Sequence, residues 1–156
     1  MKYHLLFLFF VLTAISTINA VPHLHKKGKT EFRKCPLPVK STTPTITISP
    51  DLIVAGQLVE FSISGVELSK AVPIYIAFYK DVVLALQTPT ALISKVDNPI
   101  TVKAPPSLPE DYTVVIGFTD ILSGSKPRIY CALAAVGGSS HVSVEVIEKL
   151  LSLHHH

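Results

Sequence analysis

Short runs of alternating apolar and polar residues recur along most of the chain, and this period of two constrains the fold more than any other feature. In QLVEFSIS, residues 57–64, the apolar side chains of Val59, Phe61 and Ile63 alternate with polar ones. Successive side chains of a β-strand point to opposite faces of a sheet, so the pattern predicts half-buried strands. Turn sequences such as SGSKP at 123–127 and GGSS at 137–140 separate the runs.

The alternation predicts roughly eight strands. They cover residues 45–49, 57–64, 72–80, 82–88, 100–104, 112–118, 128–136 and 141–147. Many short strands rich in β-branched residues, with no helical period outside the N-terminus, predict an all-β fold. We expect an immunoglobulin-like β-sandwich of two antiparallel sheets with roughly seven to eight strands. The chain has no tryptophan, so it lacks the buried tryptophan of antibody domains.

The N-terminal segment MKYHLLFLFFVLTAISTINA combines Lys2, an apolar run over residues 5–12 and a small residue, Ala20, at a cleavage position. This pattern predicts a secretory signal peptide over residues 1–20, because the apolar run is shorter than the roughly 20 residues that cross a bilayer. We expect a basic lead-in at 21–34, one sandwich domain at 35–148 and a C-terminal tail at 149–156. The protein would then be secreted or reside in the lumen of the secretory or vacuolar pathway.

The chain has two cysteines, Cys35 and Cys131. In the oxidising secretory pathway two cysteines predict one disulfide bond between them. The bond would connect the start of the domain to one of its last strands. The alternative is a pair of buried, unbonded thiols.

Motifs of catalytic centres are missing from the sequence: it has no GxSxG, no HExxH and no P-loop. Most histidines lie near the chain ends, at His23, His25 and residues 154–156, and His141 lies beside a turn. We therefore predict no catalytic residue, no metal site and no cofactor, and we do not expect an enzyme.

The formal net charge is +3, and a large part of the positive charge lies in HKKGKTEFRK, before Cys35. Such a run is more typical of a solvated, mobile terminus than of a patch for nucleic acid or acidic lipid. No nucleic-acid partner is expected.

Several strands are apolar on both faces. In VPIYIAFYK, residues 72–80, Ile74, Ile76 and Phe78 alternate with Tyr75, Ala77 and Tyr79. With few large aromatic residues to fill a sandwich, such strands can line a dry cavity that suits a hydrocarbon ligand. An ordinary filled core is the alternative, and the pattern alone favours it. Alternation assigns the following side chains to the space between the sheets: Phe61, Ile63, Ile74, Ile76, Phe78, Leu84, Val114, Ile116, Phe118 and Leu133.

Two longer segments, TITISPDLIVAGQLVEFSISG and ITVKAPPSLPEDYTVVIGFTDILSGSKPRIYCALAAV, share an order of motifs. A strand ends in SPD, a linker contains Gly56, the next strand closes on SG, and an LPxxYTV strand precedes the strand with Cys131. In this order the chain resembles the ML family, the MD-2-related lipid-recognition domains. Within that family it is most similar to the fungal phosphatidylglycerol/phosphatidylinositol transfer proteins and the Niemann-Pick type C2-like sterol carriers.

The resemblance implies a sandwich whose sheets part to hold a sterol or the acyl chains of a phospholipid, without catalysis. Cys35 and Cys131 match the first and last family cysteines, which bond to each other, whereas the middle cysteines of the family are missing from residues 86–99. A lipid-binding or lipid-transfer protein of this kind would be a monomer that contacts membranes transiently. The alternative is a secreted interaction or effector module that keeps the same sandwich with a closed core.

Overall fold

A computed structural model describes residues 30–66, 68, 71–88, 90–91, 99–121, 126–138 and 142–152. The predicted signal peptide, most of the lead-in, and the histidines at 23, 25, 141 and 154–156 lie outside the described residues.

The described part of the chain contains eleven strands and one helix. In chain order they are β1 (Arg33–Lys34), β2 (Ser41–Thr42), β3 (Thr45–Ser49), β4 (Leu58–Ser64), β5 (Val72–Pro73), β6 (Tyr75–Lys80), β7 (Val82–Gln87), β8 (Thr90–Ala91), β9 (Ile100–Lys103), β10 (Tyr112–Asp120), β11 (Arg128–Val136) and the helix α1 (Val144–Ser152). Four of the strands, β1, β2, β5 and β8, have only two residues.

The strands form two main sheets. The large sheet has the order β1-β11-β10-β6-β7, with β2 added in parallel to β11, and the small sheet has the order β3-β4-β9. The other neighbours within these two sheets are antiparallel. A separate short pair joins β5 to β8. The predicted all-β sandwich of two antiparallel sheets is therefore confirmed.

Most of the predicted strands coincide with observed ones. The run at 128–136 corresponds to β11 over its whole length, while the run at 72–80 divides at Ile74 into β5 and β6. Turns between the strands use residues with left-handed backbone: Asp81 has a φ of 56° between β6 and β7, and Gly137 has a φ of 80° after β11. The alternation therefore located the strands, and the turn residues of the sequence located the short turns between them.

The predicted strand at 141–147 is wrong, because α1 occupies Val144–Ser152. The Ser143 hydroxyl accepts a hydrogen bond from the Val146 N–H at 3.4 Å, which caps the first turn. Ile147 and Leu150, three residues apart, are the buried residues of the helix. The helix continues past residue 148, so it crosses the predicted boundary between the sandwich domain and the tail.

Helix α1 covers the outer face of the large sheet, the face that points away from the small sheet. Together they bury the outer cluster, which consists of Cys35, Ala77, Tyr79, Val115, Cys131, Leu133, Val142, Ile147 and Leu150. Gly117 of β10 lies under the helix, and a β-carbon at this position would come within 2.7 Å of Leu151 Cδ2. The central strands of the large sheet, β6, β10 and β11, are therefore buried on both faces, which explains why they are apolar on both sides. None of the helices among the described residues is long and apolar enough to cross a membrane.

Candidate functional site: the core between the sheets

The side chains between the large and small sheets form the inter-sheet core. Its buried members are Ile46, Ile53, Val59, Phe61, Ile63, Val72, Ile74, Ile76, Phe78, Val102, Ala104, Tyr112, Val114, Ile116, Phe118, Tyr130, Ala132 and Val136. All of the residues that alternation assigned to this space belong to it or pack against it, except Leu133. Of the assigned residues other than Leu133, Leu84 is half-buried and packs against the core, and the rest are buried members of it.

Leu133 lies in the outer cluster, under α1, so its assignment to the inter-sheet space is wrong. In the register of β10 and β11, Leu133 is opposite Val115, whereas Ala132 is opposite Ile116. Leu133 does share a face with Cys131, as alternation predicts, but that face is the outer one. Because β11 is apolar on both faces, the alternation alone could not decide which face turned inwards.

The residues that alternation assigned to this space leave out three aromatic residues, of which Tyr112 and Tyr130 are buried in the inter-sheet core and Phe32 packs against it. The rings of Phe118 and Tyr130 stack at a centroid distance of 4.8 Å, and Tyr112 lies 6.4 Å from Phe78. Phe32, from the lead-in, packs edge-on against Phe61 at 6.5 Å. Alternation does place Tyr112 on the same face as Val114, whereas Tyr130 required the correct face of β11.

Among the described residues, the side chains at the centre of the inter-sheet core are completely buried. Phe61, Phe78 and Phe118 are each 0% exposed, as are the isoleucines at 74, 76 and 116. A side chain that lines a void large enough for water carries surface that a water molecule can reach. These side chains carry none, so neighbouring side chains occupy the space around them.

A rim of half-buried apolar residues surrounds the filled core. It consists of Phe32, Ile48, Val66, Leu68, Leu84, Ala85, Ile100 and Leu108. Ile48 and Ile100 flank Phe61 on the two neighbouring strands of the small sheet. Solvent therefore reaches the apolar layer at its rim, while the centre stays dry.

The disulfide bond does not connect the two sheets. It joins Cys35, directly after β1, to Cys131 of β11, with the Cα atoms 5.6 Å apart, and both strands belong to the large sheet. The predicted pairing is thereby confirmed. A polar contact does link the sheets at one edge, where the Gln87 side-chain amide of β7 donates a hydrogen bond to the Lys103 carbonyl oxygen of β9.

Two buried tyrosines, Tyr75 and Tyr112, are neutral over the physiological pH range. Burial raises the pKa of Tyr112 to about 12, and it also raises the pKa of Tyr75. Within the described segments, no group of three or more histidine, cysteine, aspartate or glutamate side chains is placed to hold a metal ion. The inter-sheet core therefore offers an uncharged, apolar environment.

No family model, curated protein or solved structure matches this chain. Its function is therefore inferred from its own residues and their arrangement.

Proposed function

We propose that this protein is a secreted lipid-binding or lipid-transfer protein, which holds a sterol or the acyl chains of a phospholipid between its two sheets. The order of motifs that resembles the ML family supports this proposal. The observation that carries it is the composition of the layer between the sheets: its buried side chains are apolar, and the disulfide lies outside it. The sheets can part without breaking that covalent bond.

Parting the sheets exposes apolar surface, and a hydrocarbon ligand covers that surface again. Each Å² of apolar surface removed from water contributes roughly 25 cal/mol, so the opened state is favourable only with a ligand inside. The hydrogen bond from Gln87 to Lys103 opposes opening by roughly 0.5–1.5 kcal/mol. In antibody domains a disulfide crosses between the sheets and prevents such a movement.

A second candidate is a secreted interaction module whose core stays closed. The observation that favours it is the complete burial of the central side chains, such as Phe61 and Ile116. In this case the apolar layer only stabilises the fold, and the protein acts through its outer surface. The two candidates differ in a single property, which is uptake of lipid.

The decisive experiment uses the mature chain purified from a eukaryotic secretory host. Native mass spectrometry and organic extraction identify any copurified lipid, and fluorescent phospholipid and sterol analogues measure uptake. We expect a stoichiometric lipid complex with at least one of these classes. A protein that copurifies with no lipid and takes up neither analogue contradicts the proposal and supports the closed-core module.

Two substitutions locate the bound lipid. Ile116→Ala removes a side chain from the inter-sheet core, and Leu133→Ala removes one from the outer cluster, so the two residues lie on opposite faces of the same sheet. Each substitution costs about 2–5 kcal/mol of stability. We expect only Ile116→Ala to change lipid affinity, and an equal effect of both contradicts binding between the sheets. Ile116→Val and Leu133→Val are the milder pair if the alanine variants do not fold.

A further inference from the structure

Strand β7 forms one edge of the large sheet. Among the described strands, β6 is its one hydrogen-bonded neighbour, so the backbone groups along its other side have no partner strand. With six residues, Val82–Gln87, it is the longest edge strand in the described part of the chain. An open edge of this kind is a template on which a further extended strand can add by backbone hydrogen bonds.

The side chains of β7 are apolar and exposed. Val82, Val83 and Leu86 are 63%, 46% and 37% exposed, and the strand contains no charged residue and no proline. Proteins often protect sheet edges with charged side chains, with proline or with very short strands. The other described edges follow this pattern or are polar: β1 consists of Arg33–Lys34, β9 ends at the exposed Lys103, and β3 exposes threonine and serine. Strand β7 lacks these protections.

A β-bulge in β7 places two of the exposed residues on the same face. In the register with β6, Val83 pairs with Tyr79 and Leu86 pairs with Ala77, and both partners belong to the outer cluster. Leu84 is the extra residue that the register skips. In a regular strand, residues three apart point to opposite faces, but the bulge puts Val83 and Leu86 together on the outer face.

This arrangement makes β7 complementary to a second copy of itself. When two identical strands pair antiparallel about a twofold axis, residues opposite each other must lie on the same face. The register that pairs the whole strand places Val83 of each copy opposite Leu86 of the other, which forms two apolar pairs on the outer face. Leu84 then lies opposite Ala85, and both of these residues pack towards the inter-sheet core.

The charges near the ends of β7 are compatible with this pairing. Asp81, which precedes the strand, would lie opposite Thr88 of the second copy, one residue beyond Gln87. The Gln87 side chain donates its hydrogen bond to Lys103 of β9. An acidic residue of one copy therefore comes to the end of the strand at which the other copy has a basic residue, and no like charges lie opposite each other over residues 81–88.

We propose that two copies of this protein associate through β7, which joins their large sheets into one continuous antiparallel sheet. The new strand pair adds backbone hydrogen bonds and removes Val83 and Leu86 from water. Any other extended segment would have to present the same apolar spacing, which a second β7 supplies by symmetry. The dimer goes beyond the proposed function, since it requires no lipid, and it differs from the monomer that the family resemblance implies.

The test is sedimentation equilibrium of the mature protein over a wide range of concentrations, in which we expect a reversible dimer. Val83→Lys and Leu86→Lys each place a charge opposite an apolar residue of the second copy, at two symmetric positions. Each should raise the dimer dissociation constant by about tenfold or more. The matched control is Leu58→Lys, at an exposed leucine of the small sheet, which should leave the constant unchanged. Wild-type protein that stays monomeric at every concentration overturns the proposal, and so does an equal loss in the control.

Mixing two variants tests the register of the pair. Val83→Lys and Leu86→Glu should each be monomeric alone, whereas their equimolar mixture should form a heterodimer, because opposite charges then face each other across one of the two pairs. The control mixture, Val83→Lys with Val83→Glu, carries the same charges at positions that are not opposite and should stay monomeric. Dimer formation in both mixtures, or in neither, overturns this pairing of β7.

Discussion

Gly137 is the residue at which the backbone before β10 and the turn after β11 approach each other most closely. It follows β11 with a φ of 80°, and a β-carbon placed on it would lie 2.1 Å from the Glu110 carbonyl oxygen. The backbone before β10 therefore passes directly against the turn after β11, which only glycine permits. The GGSS motif predicts a turn here, but the close approach depends on residues that are distant in sequence.

Gly137→Ala should destabilise the protein by more than about 1 kcal/mol, because alanine is strained at positive φ and its methyl group meets backbone that cannot rotate away. Urea unfolding measures the change. Gly138→Ala is the matched control, since its β-carbon would lie no closer than 3.5 Å to Asp111 Cβ. The same unfolding midpoint for both variants would refute this account of Gly137.

At the scale of elements, α1 holds its place through a short apolar stripe. Ile147 is completely buried against the outer cluster, while Val144, one turn earlier, is 36% exposed. Ile147→Ala should therefore cost about 2–5 kcal/mol of unfolding free energy. Val144→Ala should change it by less than about 0.5 kcal/mol. Chemical denaturation of the two variants provides the comparison, and a similar loss from both would mean that α1 packs differently.

The strands could be predicted from sequence more completely than the helix. Runs such as residues 45–49 and 128–136 alternate regularly and end at turn residues, so local pattern and tertiary structure agree. In residues 141–147 the alternating valines resemble a strand, while the helical spacing becomes visible only when Ile147, Leu150 and Leu151 are considered together. Ser143, a favourable N-cap residue, was the other available signal.

The same limit explains the outcome for the candidate site. Alternation selected Phe61, Ile116 and the other strand residues of the inter-sheet core, because one face of each of these strands packs on the opposite sheet. It misplaced Leu133, because the partner that buries that face is α1, the element that the sequence pattern concealed. The filling of the core depends on how aromatic rings from different strands interlock, which no single strand encodes.

At the scale of the whole molecule, the disulfide limits the freedom of the unfolded chain. Cys35 and Cys131 are separated by 96 residues. In the chain-entropy model, closing a loop of this size is worth roughly 4–5 kcal/mol. The double variant Cys35→Ala/Cys131→Ala should therefore lose about this much unfolding free energy in urea. An unchanged unfolding midpoint would contradict the entropic contribution.

Because the disulfide lies beneath α1, it has to form before the helix docks. Cys35 and Cys131 are 1% and 0% exposed in the finished fold, and Ile147 and Leu150 belong to the same buried cluster. Thiol–disulfide exchange needs direct access to a sulfur atom. The ribosome releases α1 after both cysteines, so an oxidoreductase has its opportunity while the helix is still being synthesised or is undocked. Once α1 has docked, it covers the disulfide, and a reductant can reach the sulfur atoms only when the helix undocks.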